Sequence, residues 1–400
     1  MSDSGSGSAG HDETLVLSAE ALRQRHDEKW QRYPPDVLPA FVADMDFAVA
    51  GPVQRAIAGI VNQQDYGYPW RQGSDRVEVA FVHHMIKRHG WVMSPDRVRV
   101  TTDVMQGIAA CLLAFTEPGD GVVVQTPIYP PFFRVIRSLG RRIVENPLID
   151  TGERFVLDVD GLKNVTNERT RILLLCNPHN PTGRVFEPTE LAALRNLAVE
   201  RDLIIVSDEI HADLLYPGRQ HVAVGSLDPA VAERTVTLSS ATKAFNLAAL
   251  KCAVAHFGSD QLKNRFDQFV PMDLRGHVTN ISMDAAVAAW YEGLPWLEQV
   301  IGLLCVNRSF IVSWLAREMP QVRCYAPEAT YMAWLDCREL RLPGPSPLDF
   351  FLDRARVALK GGLDFGPTAA GFVRLNFATS REILEAILGR MLDAVNRYAA

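Results

Sequence analysis

The chain has 400 residues, 48% hydrophobic and 22% charged, with a net charge of −6 at neutral pH. That length exceeds one ordinary domain and suggests two, and the composition is that of a globular protein. The acidic balance gives no electrostatic reason to expect nucleic acid or an anionic membrane as partner, and no run of 18 apolar residues announces a spanning helix.

The first dozen residues, Met1 to Asp12, are rich in Ser and Gly and lack the apolar core of a signal peptide. They read as a disordered tail. The stretch from Leu38 to Pro52 is expected to pass between the two domains. From about residue 97 to 258, short β-branched runs alternate with helical patterns. The runs are Arg97–Thr102, Gly121–Thr126, Arg171–Asn177, Leu203–Glu209, Thr235–Ser240 and Cys252–Gly258. Between two of them, Glu187–Arg201 carries Leu191, Leu194 and Ala198 on one helical face. Such alternation predicts an α/β fold with a mainly parallel sheet covered on both faces. The last run follows its predecessor so closely that one strand is expected to be antiparallel. Beyond residue 285 a long helical region, Asp284 to Met319, leads to Tyr331–Cys337 and Phe372–Phe377, which reads as a second, α+β domain. The domain limits expected are 13–48 for an N-terminal segment joining the small domain, 49–284 for the large domain and 285–400 for the small one.

The six cysteines form no C-x-x-C pair, and Cys111, Cys176 and Cys252 sit inside apolar runs. In a chain of this length the pattern fits reduced core thiols and a cytoplasmic setting.

Three of the predicted strands end in polar groups that a core does not need. One leads into Asn177-Pro178-His179-Asn180-Pro181-Thr182-Gly183, one into Ser207-Asp208-Glu209-Ile210-His211, and one into Ser239-Ser240-Ala241-Thr242-Lys243. Parallel strands bring their carboxyl ends to one edge, where open α/β sheets bind ligands. Asn180, Asp208, His211 and Lys243 are therefore expected to converge. The set suits pyridoxal phosphate. Lys243 can form an imine with the aldehyde and later move a proton. Asp208 can keep the ring nitrogen protonated, and Asn180 and His211 can donate to the ring oxygen. The phosphate needs oriented N–H groups and positive charge. The amides of Val104 and Met105 at a helix start, with Ser240, Thr242 and Lys251, supply them. Tyr129, just beyond another strand end, can stack on the ring.

With these residues assembled, the chain resembles the fold-type I pyridoxal phosphate enzymes of the aminotransferase class I/II superfamily. The likeness runs from about Trp30 to the C-terminus. It is closest to the MalY/PatB-type cystathionine β-lyase, or C–S lyase, branch. Lys29-Trp30, Tyr33-Pro34, Asp36–Pro39, Val42–Phe47 and Tyr66-Gly67-Tyr68 carry that closer match, together with the motifs above. The resemblance implies a mixed, mostly parallel seven-stranded sheet flanked by helices, plus a smaller α+β domain. It also implies that Arg374 and the backbone at Ala43 bind the substrate carboxylate, and that Tyr68 reaches the phosphate of a neighbouring subunit in a homodimer. The activity implied is α,β-elimination on cystathionine or a cysteine S-conjugate, giving thiol, pyruvate and ammonia. An aminotransferase would use the same residues up to loss of the Cα proton, and a decarboxylase or oxidative deaminase of the same fold also stays open. Four positions depart from the branch pattern. Asp103 and Ala249 stand where Gly is usual, Lys251 where Arg is frequent, and Arg356 where a small residue is the rule.

Overall fold

The computed structural model describes residues 15–399 of the chain, so the tail expected over residues 1–12 lies outside them. Seven strands build the main sheet: β1 (Val98–Thr101), β2 (Gly121–Val124), β3 (Arg142–Glu145), β4 (Thr170–Cys176), β5 (Ile204–Asp208), β6 (Thr235–Ser239) and β7 (Ala253–Phe257). Their order is β1-β7-β6-β5-β4-β2-β3. Only β7 runs antiparallel to its neighbours. All six predicted runs are strands, and β3, which the sequence reading omitted, forms the edge beside β2. Its partly exposed pattern explains the omission, because an edge strand lacks the unbroken apolar run of a central one.

Alternate side chains of the central strands enter two different cores. Ile172, Leu174 and Cys176 of β4 join one apolar cluster with Val122, Val206 and Leu238. Leu173 and Leu175 point the other way, to Val123, Ile205 and Phe186. Helix α1 (Val104–Phe115) packs in the first layer, and α2 (Pro188–Glu200) packs its Leu191, Leu194 and Ala198 in the second. This is the two-faced burial that the β-branched runs require.

The helical region expected over 284–319 is two helices, α3 (Asn280–Glu292) and α4 (Leu294–Glu318), separated at Gly293. A Cβ at Gly293 would press against the Ala289 carbonyl and the Phe245 ring, and Pro295 favours a new helix start there. By length and apolar character α4 could cross a bilayer. Its Leu297, Val300, Leu304, Ile311 and Leu315 are instead buried in the protein core. Asn307 on the same helix donates to the carbonyls of Phe377 and Thr379. A four-stranded antiparallel sheet follows, with β8 (Arg323–Cys324), β9 (Met332–Asp336), β10 (Lys360–Gly361) and β11 (Phe372–Asn376) in the order β8-β9-β11-β10. Residues 38–39 run parallel to residues 357–358, which ties the N-terminal segment to this second sheet.

Candidate active site

Register sets the site. Cys176 of β4 pairs with Asp208 of β5, and Asp208 pairs with Leu238 of β6, so three carboxyl ends finish level. Beyond them lies a cavity of about 220 Å³. Ala43, Val104, Met105, Tyr129, Asn180, Asp208, His211, Ser240, Thr242, Lys243 and Lys251 all line it. The convergence expected from the strand endings is therefore present in the fold. A larger depression, edged by Asp120, Arg169, Asp202 and Arg234, lies at the opposite, amino ends of the strands.

Lys243 sits in one turn of helix, Ala241–Ala244, capped by the Ser240 hydroxyl. Its Nζ donates to the Ala43 carbonyl at 2.8 Å. Burial, with a contribution from Arg374, lowers the pKa of the amine, while Asp44 and Asp208 pull the other way. A larger fraction of neutral amine is what a nucleophile or base needs. Asp208 is buried and accepts one side-chain hydrogen bond, from the Ile210 amide at 3.1 Å. Burial raises its carboxyl pKa to about 7. A buried carboxylate so poorly supported calls for a cationic partner, and a protonated pyridine nitrogen is one. His211 is pushed down to about 3 by burial and by Lys243 and Arg374, so its ring is neutral, and Nδ1 has no partner.

Arg374 is the other group with unmet capacity. It is buried on β11, donates to Asn180 Oδ1 at 2.9 Å and to the Phe41 carbonyl at 3.0 Å, and leaves Nε unpaired. Its guanidinium lies 5.1 Å from the centre of the Phe365 ring, and burial lowers its pKa to about 10. No carboxylate forms a salt bridge with it among the described residues, although a buried guanidinium strongly favours an anion. A substrate carboxylate meets that need with the fork geometry of a bidentate pair.

The residues expected to hold a phosphate lie together on the same cavity. Ser240 and Thr242 hydroxyls lie 2.8 Å apart, and α1 begins at Val104 with Asp103 as its cap. The Asp103 carboxylate accepts from the Gln106 amide at 2.8 Å and lies 3.4 Å from Lys251 Nζ. Tyr68 is apart from all of this and 99% exposed, between the exposed Tyr66 and Trp70. Arg356 does not line the cavity. It adopts a left-handed backbone (φ 56°) after the turn of residues 351–355 and pairs with Asp36. Gly takes that conformation without strain, which accounts for the Gly usual at this position; nothing in the structure explains the Arg that replaces it.

Several residues that sequence reading missed hold the segment of residues 41–47, whose Ala43 lines the cavity. Asn376 donates to the carbonyls of Val42 and Asp44, and Asn246 braces Met45 and Phe47. Tyr331 donates to Ala43 at 2.9 Å, the same carbonyl that Lys243 uses. The signal for Asn376 was available. It lies two residues from Arg374 on one strand, hence on the same face.

A model of the aminotransferase class I and II family matches residues 52–391. The chain is 34% identical to a cystathionine beta-lyase of Corynebacterium glutamicum, over 94% of this chain and 98% of the relative. The match to cystathionine beta-lyase PatB of Bacillus subtilis is 33%, over 90% and 93%. The chain belongs to the aminotransferase class I and II family. Among solved structures, cystalysin from Treponema denticola superposes with a TM-score of 0.91 at 27% identity, covering 97% of this chain and 99% of that one, and it contains a pyridoxal 5'-phosphate cofactor. A mostly parallel seven-stranded sheet with β7 reversed is thus the family's scaffold in this chain.

Proposed function

We propose that this chain is a pyridoxal phosphate-dependent carbon–sulfur lyase that carries out α,β-elimination on cystathionine or a cysteine S-conjugate. The observation that carries the cofactor reading is the meeting of Lys243, Asp208 and Asn180 on one cavity, with Arg374 hydrogen-bonded to Asn180, and the cystathionine beta-lyase relatives support elimination as the outcome. When bound, the cofactor supplies an electron sink that permits loss of the Cα proton and departure of a thiolate from Cβ. Asp208 would hold the ring nitrogen protonated, Tyr129 would cover one face of the ring, and Asn180 and His211 would face the ring oxygen. Ser240, Thr242, Lys251 and the Val104 and Met105 amides would take the phosphate. Arg374 binds the substrate carboxylate beside the Ala43 backbone. Lys243 Nζ takes the Cα proton as the C–S bond breaks with its electron pair on sulfur. Water then converts the remaining three-carbon fragment to pyruvate and ammonia.

The working form is proposed to be a homodimer in which Tyr68 reaches the partner's phosphate. The exposed Tyr66, Tyr68 and Trp70 support that reading, since large apolar side chains clustered on a surface mark an interface. The division into residues 49–284 as cofactor-binding domain, and 13–48 with 285–400 as the smaller domain, belongs to the same proposal. So does a cytoplasmic setting, supported by six cysteines without a disulfide.

The test is incubation of protein and cofactor with cystathionine and a panel of S-substituted cysteines. Release of thiol and pyruvate together is expected. Absence of both sinks the reading, and glutamate formed from 2-oxoglutarate with an amino donor would assign a transaminase instead.

A further inference from the structure

Asp103 occupies the part of the cavity wall where the cofactor reading puts a phosphate. As the cap of α1, its Oδ1 accepts from the Gln106 amide at 2.8 Å. Its other oxygen lies 3.4 Å from Lys251 Nζ. One carboxylate therefore engages both positive elements of the cradle, the helix start and the lysine. These are the elements that attract a phosphate. The Asp103 side chain is 37% exposed and that of Lys251 is 63% exposed, so both can move without disturbing the core.

We propose that Asp103 is a built-in competitor for the cofactor phosphate. In the cofactor-free chain it neutralises Lys251 and the helix start. When a phosphate enters at the Val104 and Met105 amides, the carboxylate keeps its cap on Gln106 and yields Lys251, and the repulsion that remains between the two anions weakens the hold on the cofactor. This inference rests on the pyridoxal phosphate reading above, and it concerns how tightly the group is held, not which bond breaks.

Equilibrium titration of the cofactor-stripped chain with pyridoxal phosphate, followed by absorbance, tests it. Asp103→Asn keeps a good helix cap and removes the charge. It should bind the cofactor roughly tenfold tighter at low salt, the order expected for one like-charge contact partly exposed to water. The gain should shrink in 1 M salt, where the screening length falls to about 3 Å. Lys251→Met should weaken binding more in the Asp103→Asn background than in the wild type, because the lysine is then free for the phosphate. Equal or weaker binding by Asp103→Asn, or a gain that salt leaves unchanged, overturns the proposal. A wild-type chain that takes up no pyridoxal phosphate would sink the cofactor reading, and this inference with it.

Discussion

Lys29 and Asp46 form an ion pair at 2.8 Å in which each side chain is about 1% exposed. The second Asp46 oxygen accepts from Trp30 Nε1 at 2.7 Å, and Lys29 also donates to the Asp44 carbonyl. The pair thus anchors the far end of the segment whose Ala43 carbonyl receives Lys243. A buried pair is costly to break from one side, because the surviving charge has nowhere to go. Lys29→Met should lower unfolding stability by about 3–5 kcal/mol, read as the midpoint of denaturant unfolding. Adding Asp46→Leu should recover much of that loss. A single variant with an unchanged midpoint would mean that solvent reaches the carboxylate.

Arg374 should matter for its shape as well as its charge. A lysine at 374 keeps the charge but replaces a planar fork by a point. Charged hydrogen bonds are worth about 1.5–3 kcal/mol each, so Arg374→Lys should lower kcat/KM for any α-amino acid substrate about 10- to 100-fold, mainly through KM. An unaltered KM would remove Arg374 from carboxylate binding.

Sequence reading recovered the strand endings because each polar residue there interrupts an apolar run, and interruption at a strand end is visible in one dimension. Lys243, Asp208 and Asn180 stood out for that reason. The edge strand β3 and the break at Gly293 did not. The first has a weak pattern, and the second had a signal in Gly293 and Pro295, reinforced by the Phe245 ring that Gly293 meets across the fold. Tyr331 and Asn246 were hidden for a related reason. Their partners are the backbone carbonyls of residues 43–47, and every residue has such a carbonyl, so no sequence pattern marks them. The Gly usual at position 356 answers to a left-handed backbone that a sequence does not display.

Gly183 ends the Asn180-bearing loop with φ 70°, and its carbonyl accepts from the Glu328 and Ala329 amides at 2.8 and 2.9 Å. A Cβ there would overlap Pro327. Gly183→Ala meets both a left-handed backbone, costing about 1–2 kcal/mol, and a clash costing about 1–3 kcal/mol. The expected result is a stability loss of that combined order, with a raised KM because Asn180 and its bond to Arg374 move. A variant of wild-type stability would show that the 327–329 segment retreats freely.

Asp208 offers a test that does not require catalysis. Burial raises its carboxyl pKa to about 7, against roughly 3.9 when unfolded. The native state therefore holds a proton that the unfolded state releases, and stability falls as pH rises between those two values. Above pH 7 the penalty reaches its ceiling, on the order of 4 kcal/mol from the span of the shift. Asp208→Asn removes a titrating group and keeps the size. Without cofactor, the variant should be the more stable protein at pH 8, and the two should draw together toward pH 4. With pyridoxal phosphate the order should reverse at pH 8, since only the wild type can pair a carboxylate with the protonated ring. Thermal unfolding at the two pH values, with and without the cofactor, measures all four quantities. A variant less stable than the wild type at pH 8 without cofactor would mean that the carboxylate already has a partner in the empty site.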